Sequence, residues 1–264
     1  MFFLTLSGSG LSHVSAPAGA EQAGGFPRID AHQHFTREYS PSLLFPILQR
    51  NRFDGSVVVA NVPSVAETRW LLELAAEHDF IGAVVGWADL ADPRVGEVLD
   101  EYQRHPKFRG VCSAFEEELP PGLGELEQRG LTLDVSAGFT LAIVERYPGL
   151  RVAIDDVGTE RAIAPPSLAG YPNVFVKISG LITHAPTQWK AAEFQPAVRA
   201  ALAAFGPQRA MFGSDWPSYL PVGTWKEALA AFTQAIGPQT METRAQLLGG
   251  TARRFYRLAA GYAA

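Results

Sequence analysis

The chain has 264 residues, 47% of them hydrophobic and 19% charged, with a net charge of −5 and a single cysteine. That length fits one large domain with a substantial core, and the composition excludes a disordered chain. Mild negative charge without long runs excludes the basic stripe of a nucleic-acid partner. No apolar run is long enough to cross a bilayer, and a lone thiol excludes an intrachain disulfide, in keeping with a cytoplasmic protein.

Taken in chain order, Met1 to Gly25 comes first. Its apolar start is short and no basic residue precedes Arg28. A secretory signal needs a basic n-region and a longer apolar core, so residues 1–25 read as a flexible leader or a misjudged start codon. From there the pattern is strand then helix, repeated. Short β-rich runs begin at Arg28 (RIDAHQHF), Ser56 (SVVVAN), Ile81 (IGAVVGWA), Phe108 (FRGVCS), Leu131 (LTLDVSA), Arg151 (RVAIDD), Val174 (VFVKISG) and Ala210 (AMFGSD). Most are continuously apolar, as parallel strands buried on both faces are.

Helical spacing fills most of the gaps. Pro41 to Arg50 carries Leu43, Leu44, Ile47 and Leu48 on one stripe. Ser64 with Glu67 predicts a capping box for a helix reaching Glu77. Asp92-Pro93 predicts an N-cap and first helical residue for Arg94 to Arg104. Gly124 to Gln128, Thr140 to Arg146, Ala191 to Phe205, Thr224 to Ile236, Met241 to Leu248 and Thr251 to Leu258 continue the series. Thr159 to Pro172 is rich in Pro and Gly and reads as a loop with at most a short helix. Eight strands alternating with helices admit a closed barrel or an open doubly wound sheet. The open sheet usually places a Gly-rich turn after its first strand, whereas here that strand ends in His-Gln-His. The expected fold is therefore a single (β/α)8 TIM barrel over residues 26–264.

Active sites of such barrels sit at the C-terminal ends of the strands. Strand one ends in His32-Gln33-His34, and residues two apart on a strand point to the same face. Two convergent neutral imidazoles suit a divalent metal, with ordinary hydrogen-bonded histidines as the alternative. Strand eight runs into Asp215, which the closure of a barrel brings beside strand one. A carboxylate there can ligate metal or move a proton from water to a leaving group, and a turn Asp is the alternative. Lys177 lies in strand seven, where an interior lysine is costly unless paired. It reads as a substrate contact, as an ion-pair partner of Asp155, Asp156 or Asp215, or as a side chain aimed outward. Trp87, Asn61, Trp216 and Tyr219 are candidates for the pocket wall, with packing as the alternative. His184 can reach the site from its loop or be simply exposed. Cys112 has no evident base beside it and is a poor nucleophile.

IDAHQHF near the start and MFGSDWP near the end resemble the signatures of the amidohydrolase-2 branch of the amidohydrolase superfamily. Within it the chain is most similar to the lactonase-type group of metal-dependent TIM-barrel hydrolases. VVGWADLADP, VFVKISGL and GGTARRFYRL are similar to that group too, so the resemblance runs from Arg28 to Leu258. It implies hydrolysis of C–O bonds in sugar or aromatic-derived lactones, with His32 and His34 as the paired histidines and Asp215 as the strand-eight Asp. Superfamily relatives include decarboxylases. Two departures stand out. Relatives carry an Asp-His step where this chain has Asp155-Asp156, and an Arg and a His where it has Cys112 and Ser113. They bear on the metal site, on any carboxylate-binding Arg and on activity.

The resulting expectation is a lactonase acting on a small molecule, with a neutral sugar-acid lactone preferred because the carboxylate-binding arginines are missing. One divalent ion, zinc first, would be held by His32, His34 and Asp215, with Asp156 either a fourth, oxygen ligand or an ordinary strand-end Asp bonded to backbone, and with no organic cofactor. Trp87, Lys177, Trp216 and Asn61 would contact substrate. A decarboxylase and a ligand-binding barrel without activity stay open, as does a homo-oligomer.

Overall fold

Continuous apolar runs bounded by Gly, Pro and Asp become eight parallel strands: β1 Ile29–Gln33, β2 Gly55–Val59, β3 Ile81–Gly86, β4 Phe108–Ser113, β5 Thr132–Val135, β6 Arg151–Ile154, β7 Val174–Ile178 and β8 Ala210–Phe212. Each pairs with the next in sequence order. The ring is closed by the residues just past β8: Gln33 bridges Trp216, His34 N donates to Trp216 O at 2.7 Å, and Asp215 N donates to His32 O at 2.8 Å. This architecture is a (β/α)8 barrel. It is seen in a computed structural model that describes residues 26–259 apart from 115–117, 137, 139, 160–165, 184 and 187. The expected leader, residues 1–25, and His184 lie outside the described residues.

The helices lie where the sequence places them, although Leu43 and Ala76 are exposed. They are α1 Pro41–Arg50, α2 Val65–Glu77, α3 Val95–Gln103, α4 Gly122–Gln128, α5 Thr140–Arg146, α6 Ala191–Phe205, α7 Trp225–Ile236, α8 Met241–Ala245 and α9 Thr251–Phe255. Three expectations are corrected. Asp92 does not cap α3; its carboxylate accepts from Arg94 N at 2.8 Å in a local turn, so the helix begins after Arg94. At Ser64 the Oγ accepts from Glu67 N, one half of a capping box, while the reciprocal box forms at Thr224 and Glu227. The stretch after Thr240 is two short helices joined by a π-turn over Gln246–Gly250. No helix among the described residues is long and apolar enough to cross a membrane.

Two cores result from the alternation of side chains along each strand. One lies between the strands and the helices, with Leu44, Leu72, Leu99, Leu126 and Phe232 among its members. The other fills the barrel itself with Ile29, Ala31, Val57, Val59, Ala83, Val85, Ala153 and Met211. Phe255 and Tyr256 at the end of α9 join this inner core. The Phe255 ring lies 4.7 Å from that of Phe175 on β7. The C-terminal segment thus plugs one end of the barrel, and the opposite end is left for a cavity.

Candidate active site

A cavity of ≈ 520 Å³ opens at the C-terminal ends of the strands and is lined by His32, His34, Asn61, Trp87, Asp155 and Asp215, among others. Its position follows from the fold, because the strand ends and the loops after them are the part of a barrel that its core does not fill. Local sequence decides how tightly β1 and β8 meet there. Asp30 is fully buried and ties the seam: its carboxylate accepts from Ser214 N at 2.8 Å and from Trp225 Nε1 at 3.1 Å. Gly213 lets the strands touch, since a Cβ there would lie 2.4 Å from that of His32.

The seam delivers His32, His34 and Asp215 to one place, with a ligand atom from each within 4.8 Å of the others. His34 Nδ1 lies 2.8 Å from the Val59 carbonyl, which can only accept, so this nitrogen carries the proton. Its Nε2 then faces Asp215 Oδ1 at 3.3 Å, and His32 Nε2 lies 3.9 Å from the same oxygen. Burial, the Lys177 charge and the adjacent His34 push His32 down to about 3, so its ring is neutral. Burial also opposes a charged His34, but the hydrogen bond to Asp215, the charge of that carboxylate and the Val59 carbonyl together outweigh it and raise that group. Burial likewise works to raise the Asp215 carboxyl, and the two histidines with Thr183 overcome it and hold the group below the ordinary range. Two nitrogens and a carboxylate oxygen make a donor set that suits a divalent ion and leaves a position open for water.

Beneath His32 lies a charged cluster. Lys177 is fully buried on the inner face of β7, where alternation places it with Phe175. Its Nζ is 2.6 Å from Asp134 Oδ2, 3.0 Å from Asp155 Oδ1 and 3.1 Å from His32 Nδ1. Tyr256 OH donates to Asp134 Oδ2 at 2.7 Å from the plugged end. Burial acts to lower the Lys177 ammonium, but the two carboxylates more than compensate and hold it above its ordinary value. Of the ion-pair partners considered from sequence, Asp155 is the one engaged, and Asp134 was missed.

His32 Nδ1 therefore has neighbours of opposite sense, the Lys177 donor and the Asp155 acceptor at 3.6 Å. Ligation of an ion through Nε2 requires the proton on Nδ1, and Asp155 is the acceptor on that side.

Other expectations sort by position. Trp87 is half-buried and Asn61 exposed, and both line the cavity. Trp216 does not: it is 1% exposed and packs edge-on against Phe35 and Tyr39, because its backbone forms the seam and its ring turns outward. Lys177 is likewise held below the cavity by its carboxylates and does not line it. Asp156 lines the cavity but stands outside the His32, His34 and Asp215 set, its Oδ1 accepting from Ser179 Oγ at 2.9 Å. Tyr219 is fully buried. Cys112 lines the wall, but burial, with Asp134 and Asp155 nearby, pushes its thiol up to about 12, unsuited to a nucleophile.

Sequence reading also missed Thr183 and Ser218. Thr183 Oγ1 donates to Asp215 Oδ2, and Ser218 Oγ donates to Asp215 Oδ1 at 3.1 Å. Both hydroxyls sit on loops, where no periodicity marks them. Ser218 has one local signal, its place three residues past an Asp.

A model of the amidohydrolase family matches residues 12–258. The chain is 32% identical over 283 residues to an L-fucono-1,5-lactonase of Burkholderia ambifaria, covering 88% of this chain and 96% of that one. It is 30% identical over 287 residues to an L-fucono-1,5-lactonase of Burkholderia multivorans, with the same 88% and 96% coverage. Among solved structures it is similar to an amidohydrolase of Burkholderia multivorans with bound zinc, at a TM-score of 0.78 and 30% identity, covering 88% of this chain and 100% of that one. A hydrolase from Pseudomonas putida described as acting on 2-pyrone-4,6-dicarboxylic acid superposes at a TM-score of 0.65 with 23% identity over 88% of this chain and 98% of that one, a likeness of fold alone.

Proposed function

The chain belongs to the amidohydrolase family and is an enzyme of C–O bond hydrolysis with a divalent-metal site; from this premise we propose that it opens a neutral, hydroxyl-bearing lactone, a sugar-acid lactone, with zinc as the ion. The observation that carries the reading is the convergence of His32, His34 and Asp215 on a cavity whose described lining has no arginine or lysine. Its other polar lining groups include Asn61, Ser113, Ser136, Thr183 and Ser218, neutral donors and acceptors that suit ring hydroxyls and bring no positive charge to offset a substrate carboxylate. The L-fucono-1,5-lactonase relatives support the same class of substrate.

Nε2 of His32, Nε2 of His34 and Asp215 Oδ1 would hold the ion. When bound, it would supply Lewis acidity toward the lactone carbonyl and acidify water. The remaining work belongs to side chains. Asp215 is an ionised carboxylate held by the Thr183 and Ser218 hydroxyls, so its orientation is set before substrate arrives. It takes a proton as water adds to the carbonyl carbon. It returns that proton to the ring oxygen as the C–O bond breaks, leaving a hydroxy acid. Trp87 offers a ring face to the sugar. Burial and the Lys177 charge keep His32 neutral, and Asp155 helps hold its ring in place.

Proton release from a panel of aldonolactones, in zinc-supplemented buffer, tests the reading. Turnover that prefers neutral over dicarboxylate lactones is expected, and a preference for dicarboxylates would overturn the substrate class. Decarboxylation of an aromatic acid is the weaker reading, because it needs a cationic anchor and Lys177 is already engaged by Asp134 and Asp155.

A further inference from the structure

Among the described residues, four carboxylates line the cavity: Asp134, Asp155, Asp156 and Asp215. Three of them have partners that account for their charge. Asp134 and Asp155 share the Lys177 ammonium, and Asp215 faces His34 and takes two hydroxyls. Asp156 makes no ion pair among the described residues. Its backbone N and its Oδ1 both bond to one hydroxyl, that of Ser179, at 3.1 and 2.9 Å. Oδ2 accepts no hydrogen bond from the described residues, and the side chain is half-buried at the cavity wall.

The surrounding backbone is shaped to hold this carboxylate where it is. Asp156 itself has φ +57°, a left-handed conformation uncommon outside glycine. Gly180 has φ +64°, and a Cβ there would come within 2.7 Å of Asp156 Oδ1. An anchored side chain with one oxygen pinned and the other presented to a cavity is a hydrogen-bond acceptor in waiting. An ionised carboxylate only accepts, so its complement is a donor such as a hydroxyl.

We propose that Asp156 is a specificity-determining residue that accepts a hydrogen bond from a ring hydroxyl of the substrate through Oδ2. The proposal rests on the lactonase reading above and adds to it the group that tells a hydroxylated lactone from a plain one. Asp156 then acts in binding, apart from the ion and from the proton transfers of Asp215.

The test compares D-glucono-1,5-lactone with δ-valerolactone, which has the same ring and no ring hydroxyls. Wild type is measured beside Asp156→Asn and Asp156→Gly, two residues that tolerate a positive φ, so that folding is preserved. KM for the hydroxylated lactone should rise in the glycine variant by on the order of tenfold to a hundredfold, the worth of one hydrogen bond to a charged acceptor. Turnover of δ-valerolactone and zinc content per chain should stay as in wild type. An equal loss with both lactones, no loss with either, or loss of zinc would each overturn the proposal. If wild type opens neither lactone, the lactonase reading fails by itself, and calorimetric binding decides for Asp156. D-glucono-1,5-lactam should then bind wild type more tightly than Asp156→Gly, and equal binding, or none, overturns the proposal.

Discussion

Lys177 Nζ and Asp134 Oδ2 lie 2.6 Å apart inside the barrel, and both side chains are fully buried. A pair so placed is costly to desolvate and costlier to break, because removing one partner strands the other's charge. Lys177→Met leaves Asp134 and Asp155 facing each other without a cation. A loss of about 3–5 kcal/mol is expected, read as a fall in Tm of roughly 6 °C or more by thermal denaturation. An unchanged Tm would show that the carboxylates simply take up protons, with the ammonium dispensable.

Asp215→Asn keeps a side chain that accepts the left-handed backbone, φ +62° at this position, so the fold should survive. The amide cannot take a proton from water. Lactone turnover should drop by about 10²–10⁴-fold while circular dichroism stays unchanged. A residual rate near that of wild type would remove Asp215 from the proton transfers.

Asp155 stands 3.6 Å from His32 Nδ1, on the side opposite the nitrogen that faces Asp215. Asp155→Asn weakens the acceptor that fixes the ring for ligation. Zinc affinity, measured by competition with a chromogenic chelator, should fall by about 10–100-fold. The same affinity in variant and wild type would mean that Lys177 alone orients His32.

Cys112 should be slow to alkylate. Burial and the nearby Asp134 and Asp155 push its thiol up to about 12, so the neutral form dominates well above pH 8 in the folded protein. Reaction with iodoacetamide at pH 8 is expected on the order of 1000-fold slower than for an ordinary thiol. It should quicken as pH rises, and reach the ordinary rate in guanidinium chloride. Rapid labelling of native protein at pH 8 would contradict the buried environment.

Much of this was legible along the chain, for a local reason. A parallel strand buried on both faces must be apolar throughout, so β1 to β8 announce themselves. The Leu44 and Leu48 face of α1 and the cap at Ser64 are equally local. His32 and His34 could be read as a pair because a strand repeats every second residue. Asp215 could be joined to them because a closed ring makes its first and last strands neighbours.

What the chain could not disclose depends on contacts between residues far apart in sequence. Lys177 is separated from Asp134 by 43 residues and from His32 by 145, and neither distance leaves a periodic trace. The sequence placed Trp216 at the mouth, yet its backbone is used to close the barrel and its ring packs against Phe35 and Tyr39. Asp156 could be placed near the site from its position after β6, but the left-handed turn and the Ser179 hydroxyl that fix its carboxylate could not be foreseen. By itself, then, the sequence determined the barrel and the convergence of His32, His34 and Asp215 at its mouth, since period and strand order are local and topological properties. The tertiary structure alone decided which carboxylate meets which cation, because charge pairing in a low-dielectric interior depends on distances that only the closed barrel creates.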